Sequence, residues 1–250
     1  MLADIQTRFG DIRVDLSAPI DLSMPLFAGP GHASAWYVGP ARYEPVRMGD
    51  WVGEVKSGAP VNFRNIFLNP HGNGTHTECV GHISVEDFTI NQCLKEFFFV
   101  CRVISIEPAL QNNGDSVITL AQVQAVFTPG DCDAIAIRTL PNGADKLTKS
   151  YSDANPPYLD HAAAAFLRDS GVNHLLIDLP SVDKERDEGR LLAHKAFWTY
   201  PENPRTHATI TELIFLPEEV KDGRYFMNMQ IASLENDASP SKILIFNTIT

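Results

Sequence analysis

Long apolar runs are missing from this chain of 250 residues. None approaches the roughly 20 residues that a membrane-spanning helix needs, so the sequence predicts no membrane segment. Basic residues are also few: 20 Lys and Arg stand against 31 Asp and Glu, a net charge of −11. Nucleic-acid binding needs a basic footprint, and so does adsorption to anionic lipid; neither partner is expected. Cysteine is scarce. Cys79, Cys93, Cys101 and Cys132 lack CxxC spacing. The first ten residues carry Asp4 and Arg8 and no apolar core, unlike a secretory signal. The thiols are therefore expected to be reduced and the protein cytoplasmic. GxGxxG, P-loop and Gly-x-Ser-x-Gly patterns are absent, which argues against dinucleotide binding, phosphate cradling and serine hydrolysis.

What remains is an ordinary globular composition, 44% hydrophobic and 20% charged, with enough length for a substantial core. No repeat or low-complexity tract divides it, and it reads as one domain over residues 1–250. Residues 1–60 are rich in Gly and Pro and read as irregular structure that covers something. Residues 61–69 alternate in part and read as a strand. Phe97–Glu107, Asp133–Leu140, Val172–Leu179, Thr209–Leu216, Arg224–Leu234 and Lys242–Thr248 also read as strands. Ser116 is expected to cap a helix over Ile118–Phe127, and Asp160 a helix over Leu159–Ser170 with four alanines. Leu191–Trp198 reads as a short helix. Strands and helices mix without strict alternation, so the fold class is α/β with a mixed sheet, not a doubly wound Rossmann domain.

The densest chemistry lies in His71-Gly72-Asn73-Gly74-Thr75-His76-Thr77-Glu78-Cys79-Val80-Gly81-His82. These twelve residues hold three of the eight histidines and a carboxylate. Imidazole nitrogens with a carboxylate oxygen suit Zn²⁺, Mn²⁺ or Fe²⁺, and the glycines permit the turns that bring close-spaced ligands together. A solvated polar loop is the plain alternative. Cys79 reads as a small packed residue rather than a soft ligand. His194 and Glu212 are the distant candidates. Glu212 sits between Ile210 and Phe215, where a carboxylate is costly unless paired or metal-bound. His207 is the rival of His194, and His32, His161 and His174 read as structural or surface. Asp183-Lys184-Glu185-Arg186-Asp187-Glu188 reads as a solvated charge run.

These residues, taken in order, resemble the metal-dependent cyclase family, whose best-known members are bacterial kynurenine formamidases. The family carries His-x-Gly-Thr-His-x-Asp-x-x-x-His. Here stand Gly74-Thr75-His76-Thr77-Glu78 and then His82 four residues after the carboxylate. Asp21-Leu22-Ser23, Asp178-Leu179-Pro180-Ser181-Val182-Asp183 with Ala193-His194, the Glu212 strand, Gly223-Arg224-Tyr225 and Asp237-Ala238-Ser239-Pro240 match further family segments in the same order. Departures exist. His71 lies five residues before His76 where the family spacing is four, leaving Asn73 as an alternative, poorer donor. Glu78 replaces the usual Asp, Val80 the usual Pro, and the Trp-Pro-Gly-Asp-Pro pocket segment is not recognisable around Phe27 to Pro40.

The resemblance implies a mixed β-sheet or barrel flanked by helices, of the swivelling β/α type, assembled as a homodimer or higher homo-oligomer. It implies one or two divalent ions, Zn²⁺ or Mn²⁺, held by His71, His76, Glu78, His194 and Glu212. His82 would be the catalytic base and acid. The activity implied is an arylformamidase-like hydrolysis of a small-molecule amide, formamide, cyclic imide or lactone. Two other readings stand. His76, Glu78 and His194 also fit the two-His-one-carboxylate triad of non-haem iron oxygenases. A non-catalytic binding protein on the same scaffold would keep the fold and hold no metal.

Overall fold

A computed structural model describes residues 1–249. The chain opens with an antiparallel hairpin, β1 (Leu2–Thr7) and β2 (Gly10–Asp15), more regular than the short extended piece over Ile12–Leu16 that the sequence suggests within an irregular region. After a largely irregular excursion come β3 (His76–Glu78), β4 (Phe98–Ile106), α1 (Leu120–Val126), β5 (Ala134–Thr139), α2 (His161–Asp169) and β6 (His174–Ile177). Then follow α3 (Leu192–Trp198), β7 (Thr209–Glu212), β8 (Gly223–Ile231) and β9 (Ala238–Ile249). No helix among the described residues is long and apolar enough to cross a membrane.

Seven strands close into a barrel in the order β3-β7-β6-β5-β4-β8-β9, with β9 pairing back onto β3. The pairs β4–β5, β5–β6 and β6–β7 are parallel. Parallel neighbours need crossover connections, and α1, α2 and α3 supply one each. β3 and β8 run antiparallel to both of their barrel neighbours. The mixed α/β class holds, with the sheet closed.

Alternation along each strand makes two cores. Ile104, Ile135, Ile137, Leu175, Ile177 and Ile210 face outward and pack with Ala163, Leu167, Phe197 and Trp198 of the helices. Cys101, Val103, Ala134, Ala136, Leu176, Met227, Met229, Ile243 and Ile245 fill the lumen. The small Ala134 and Ala136 leave room for the two methionines. Both faces of β5 and β6 are buried, which is why Asp133–Leu140 and Val172–Leu179 read as continuous apolar runs.

Two expectations need correction. Ser116 does not cap a helix: Ser116–Ile118 is a strand, with Val117 opposite Tyr158. The cap is Thr119, whose Oγ1 accepts from the Gln122 N–H while Gln122 Oε1 accepts from the Thr119 N–H. This reciprocal capping box satisfies two end groups at once, and β-branched Val117 and Ile118 favour the extended form before it. Within residues 61–69 only Arg64–Phe67 is a strand, and it pairs with Arg42–Pro45 in a projecting arm outside the barrel.

Candidate metal centre

The site is set by the register of the shortest barrel strand. In β3, His76 and Glu78 are two residues apart and share a face. His76 lies opposite Glu212 of β7, and Glu78 opposite Ile210. Directly opposed residues on antiparallel strands point the same way, so all three side chains share the outer, helix-facing side with Ile210. Thr77 and Thr211 point the other way and join through their hydroxyls at 2.8 Å. On β3's other edge, Glu78 faces Ala238 of β9. That pairing brings Asp237 to the same spot.

α3 delivers His194. Its N-cap residue, Leu191, has no side-chain acceptor. Asp183, upstream of the Lys184–Arg190 loop, caps it instead: Oδ1 accepts from the Ala193 N–H at 2.7 Å and Oδ2 from the His194 N–H at 3.2 Å. The same Oδ2 accepts from His194 Nδ1 at 2.6 Å. The other ring nitrogen, Nε2, then lies 3.1 Å from Glu78 Oε1 and 3.8 Å from Glu212 Oε1. The Val182 N–H fixes Glu212 Oε1 at 2.9 Å. His71 Nδ1 stands 3.1 Å from Glu78 Oε2, and His82 Nε2 3.8 Å from it. His76 Nε2 lies 3.4 Å from Glu212 Oε2 while its Nδ1 donates to the Gly74 carbonyl at 3.0 Å.

The five ligand positions expected from the sequence, and His82, therefore meet in one place. Asn73 stays apart: its Oδ1 accepts from the Asn69 N–H and its Nδ2 donates to the Gly39 carbonyl. It braces the loop, and His71 reaches the site despite its longer spacing. Gly72 lets the covering segment close over this loop, since a Cβ there would stand 2.3 Å from Val38 Cγ2 and 2.9 Å from the Ala35 carbonyl. Cys79 is buried toward the lumen, its thiol near the Phe88 carbonyl. His161 is exposed beside Asp160. His174 packs on Phe99. His32 and His207 lie outside the cluster too. Among the described residues, every group able to hold a metal draws on His71, His76, Glu78, His82, His194 and Asp237.

The electrostatics call for a cation. Glu78 is fully buried, and burial opposes its ionisation; His82 and the hydrogen bonds of His194 and His71 nevertheless hold it well below the usual carboxylate range. Burial likewise opposes charge on His71, but its bonds to Asp237 and Glu78 prevail and push it up to about 10. His194 is raised in the same way by Asp183 and Glu78 against its burial. Of five buried side-chain atoms without a well-formed hydrogen bond among the described residues, two lie here: His76 Nε2, 3.4 Å from Glu212 Oε2, and Glu78 Oε2, whose nearest polar neighbour is His71 Nδ1 at 3.1 Å. Orphaned atoms of this kind are rare in folded proteins, and both are good ligands for a divalent ion.

Asp183 and Asp237 were missed by the sequence reading as site residues. Asp183 reads from the sequence as part of a charge run, yet it is 6% exposed, whereas Arg186 and Glu188 of that run face solvent. Its position at the end of a run of buried residues, 174–183, sets it apart from the rest. Asp237 had only its place in the Asp-Ala-Ser-Pro segment.

Beside the cluster opens a cavity of about 340 Å³, lined by Trp36, Leu191, Lys184 and Glu185 together with His71, His82, His194 and Glu212 of the cluster. A second cavity of about 360 Å³ lies beyond the Asp183–Leu192 loop, lined by Asp115, Tyr158 and His161 but by none of His71, His76, His82 and His194.

Residues 14–184 match the model of the Cyclase family. The chain belongs to the Cyclase family. Solved structures agree on the fold. One described as a potential metal-dependent hydrolase with cyclase activity superposes with a TM-score of 0.66 at 18% identity, over 93% of this chain and 99% of that one. An isatin hydrolase bound to the product analogue thioisatinate gives 0.68 at 12% identity, over 92% of each chain. Isatin hydrolase A from Ralstonia solanacearum gives 0.64 at 14% identity, over 92% of this chain and 91% of that one. No curated protein matches the chain by sequence. The Cyclase match ends at residue 184, so His194, Glu212 and Asp237 join the family motif through the geometry above.

Proposed function

We propose that this Cyclase-family chain is a metal-dependent hydrolase that opens a C–N bond, with a cyclic amide as the substrate class. The observation that carries the metal is the pair of orphaned buried atoms, His76 Nε2 and Glu78 Oε2, inside a shell of histidines and carboxylates. His71, His76, Glu78, His194 and Glu212 would hold one or two Zn²⁺ or Mn²⁺ ions. When bound, such an ion supplies a Lewis acid and lowers the pKa of a coordinated water towards neutrality. The rest of the chemistry belongs to the chain. His82 is partly exposed and lines the cavity. Its Nε2 takes the proton of the attacking water and returns it to the leaving nitrogen, the work of a positioned general base and acid. Trp36 and Leu191 give the cavity apolar walls that suit a planar ring. Isatin is a cyclic amide, so the isatin hydrolases on the same fold support this class above open-chain formamides.

A second copy of the chain is the proposed partner. The arm exposes Met48, Val61, Phe63, Ile66 and Phe67, and a two-stranded ribbon is marginal alone in water. It runs directly into Asn69 and His71 at the cavity wall. Ile66→Asp with Phe67→Asp should convert an oligomer to a monomer in sedimentation.

The test of function is metal content with a screen of cyclic amides, cyclic imides, N-formyl aryl amides and lactones, run with and without oxygen. Metal near stoichiometry and oxygen-independent ring opening support the proposal. Oxygen-dependent turnover would point to the iron oxygenase, and a metal-free, inactive protein to the binding scaffold.

A further inference from the structure

Asp237, which belongs to one of the metal-capable groups but is not among the five proposed ligands, touches one of those ligands, His71, and the base, His82, through one atom. Its Oδ2 accepts from His71 Nε2 at 2.9 Å and from His82 Nδ1 at 3.2 Å. The two rings stack with centroids 4.3 Å apart. Each ring therefore spends one nitrogen on Asp237 and turns the other toward Glu78 Oε2: Nδ1 of His71 and Nε2 of His82.

The carboxylate is held in place by backbone, not chance. The Asp237 carbonyl accepts from the Cys79 N–H at 3.0 Å, next to the pairing of Ala238 with Glu78. One residue earlier, the Asn236 carbonyl accepts from the Ile90 N–H at 2.7 Å. Glu235 accepts from the side chains of Thr89, Asn91 and Gln92. The segment 235–237 is thus clamped to the one-turn helix Ile90–Cys93 and to β3 together.

We propose that Asp237 is the positioning residue of the site: it fixes the Nδ1–H form of His82, so that bare Nε2 faces the reacting water, and balances the charge His82 gains. The inference rests on the assignment of His82 as the base. A neutral imidazole carries one N–H, so donation from Nδ1 leaves Nε2 as the acceptor. Free imidazole side chains favour the opposite form, with the proton on Nε2, which could not take a proton there. Without Asp237 the His82 ring is also free to rotate into the cavity. For His71, the same bond leaves Nδ1 for the ion, as metal-bound imidazoles commonly donate their second N–H to a carboxylate.

The experiment has two arms. In the zinc-loaded protein, long-range ¹⁵N–¹H correlation of the imidazoles, with His82 assigned from His82→Ala, should show the Nδ1–H form. Asp237→Ala should shift it toward Nε2–H. A His82 already in the Nε2–H form, or one unchanged in Asp237→Ala, overturns the inference. The second arm is a kinetic cycle. Asp237→Asn should bind its metal more weakly, because His71 loses its carboxylate, but at saturating zinc it should be fully loaded and still lose about 10–100-fold in kcat with little change in KM. Combined with His82→Ala it should be no slower than His82→Ala alone, because residues that act as a unit are not additive. Losses that multiply would make Asp237 a separate structural element, and an Asp237→Asn protein that cannot be loaded to the wild-type stoichiometry even at saturating zinc would make it a ligand; either overturns the proposal. His82→Ala at wild-type rate would sink the base assignment and the kinetic role together, while the imidazole spectra would still report the ring geometry.

Discussion

His194 Nε2 lies 3.1 Å from Glu78 Oε1, although 116 residues separate them in the chain. The contact depends on a third residue. Asp183 caps α3 and grips His194 Nδ1 at 2.6 Å, which leaves Nε2 free for the centre. Asp183→Asn should therefore weaken metal retention by about 10–100-fold, the usual cost of losing a carboxylate behind a ligating histidine. Competition with a chelator measures this, and an unchanged affinity would remove Asp183 from the centre.

His76 and Glu78 are fully buried and carry the two unpartnered atoms. His76→Ala and Glu78→Ala should each release most of the metal. Glu212→Gln is nearly isosteric and can keep the bond from the Val182 N–H. It should lower metal retention while the circular dichroism spectrum stays native. Full metal in all three purified variants, by elemental analysis, would show that the site is elsewhere.

Asp178 belongs to the family-like central segment but serves the fold. It is buried, accepts from Thr139 N and Oγ1 at 2.9 Å each, and pairs with Lys146 Nζ at 2.7 Å. Removing one partner of a buried pair leaves an uncompensated charge, which costs about 3–5 kcal/mol. Asp178→Asn should show a loss of that order in urea unfolding and no specific loss of metal. A change under about 1 kcal/mol would contradict the buried-pair account.

His174 gives the fold an acid limit. Its burial, with positive His207 and Arg205 nearby, lowers its pKa from 6.5 to about 3. Below pH 6.5 the unfolded chain binds a proton that the folded chain refuses. The stability it contributes is complete above that pH and declines as pH falls toward 3, by at most about 1.4 kcal/mol per unit. His174→Gln should flatten stability against pH across this window. An unaltered slope would show that other groups set it.

The sequence made the clustered residues legible because imidazoles, glycines and a carboxylate crowd into one short stretch, and because Glu212 is costly among apolar neighbours without a partner. α2 was legible through Asp160, which accepts from the Ala162 N–H, and its alanines. The closing strand was not: β3 is three residues long, too short for any periodicity. Asp183 and Asp237 were hidden for a related reason. Each is a common turn carboxylate until the α3 cap and the Glu78–Ala238 pairing bring it beside a histidine. The exposed strand Arg64–Phe67 was legible as a strand leading to the histidine loop, but its apolar residues do not say which sheet receives it.

The central claim is that this histidine–carboxylate cluster holds a divalent ion. A crystal structure of the purified protein, with anomalous difference maps at the zinc and manganese edges, tests it most directly. The account predicts a peak within bonding distance, about 2.0–2.2 Å, of His76 Nε2 and a Glu78 oxygen. No peak at the cluster after loading with either metal, or a peak bound elsewhere, would contradict it.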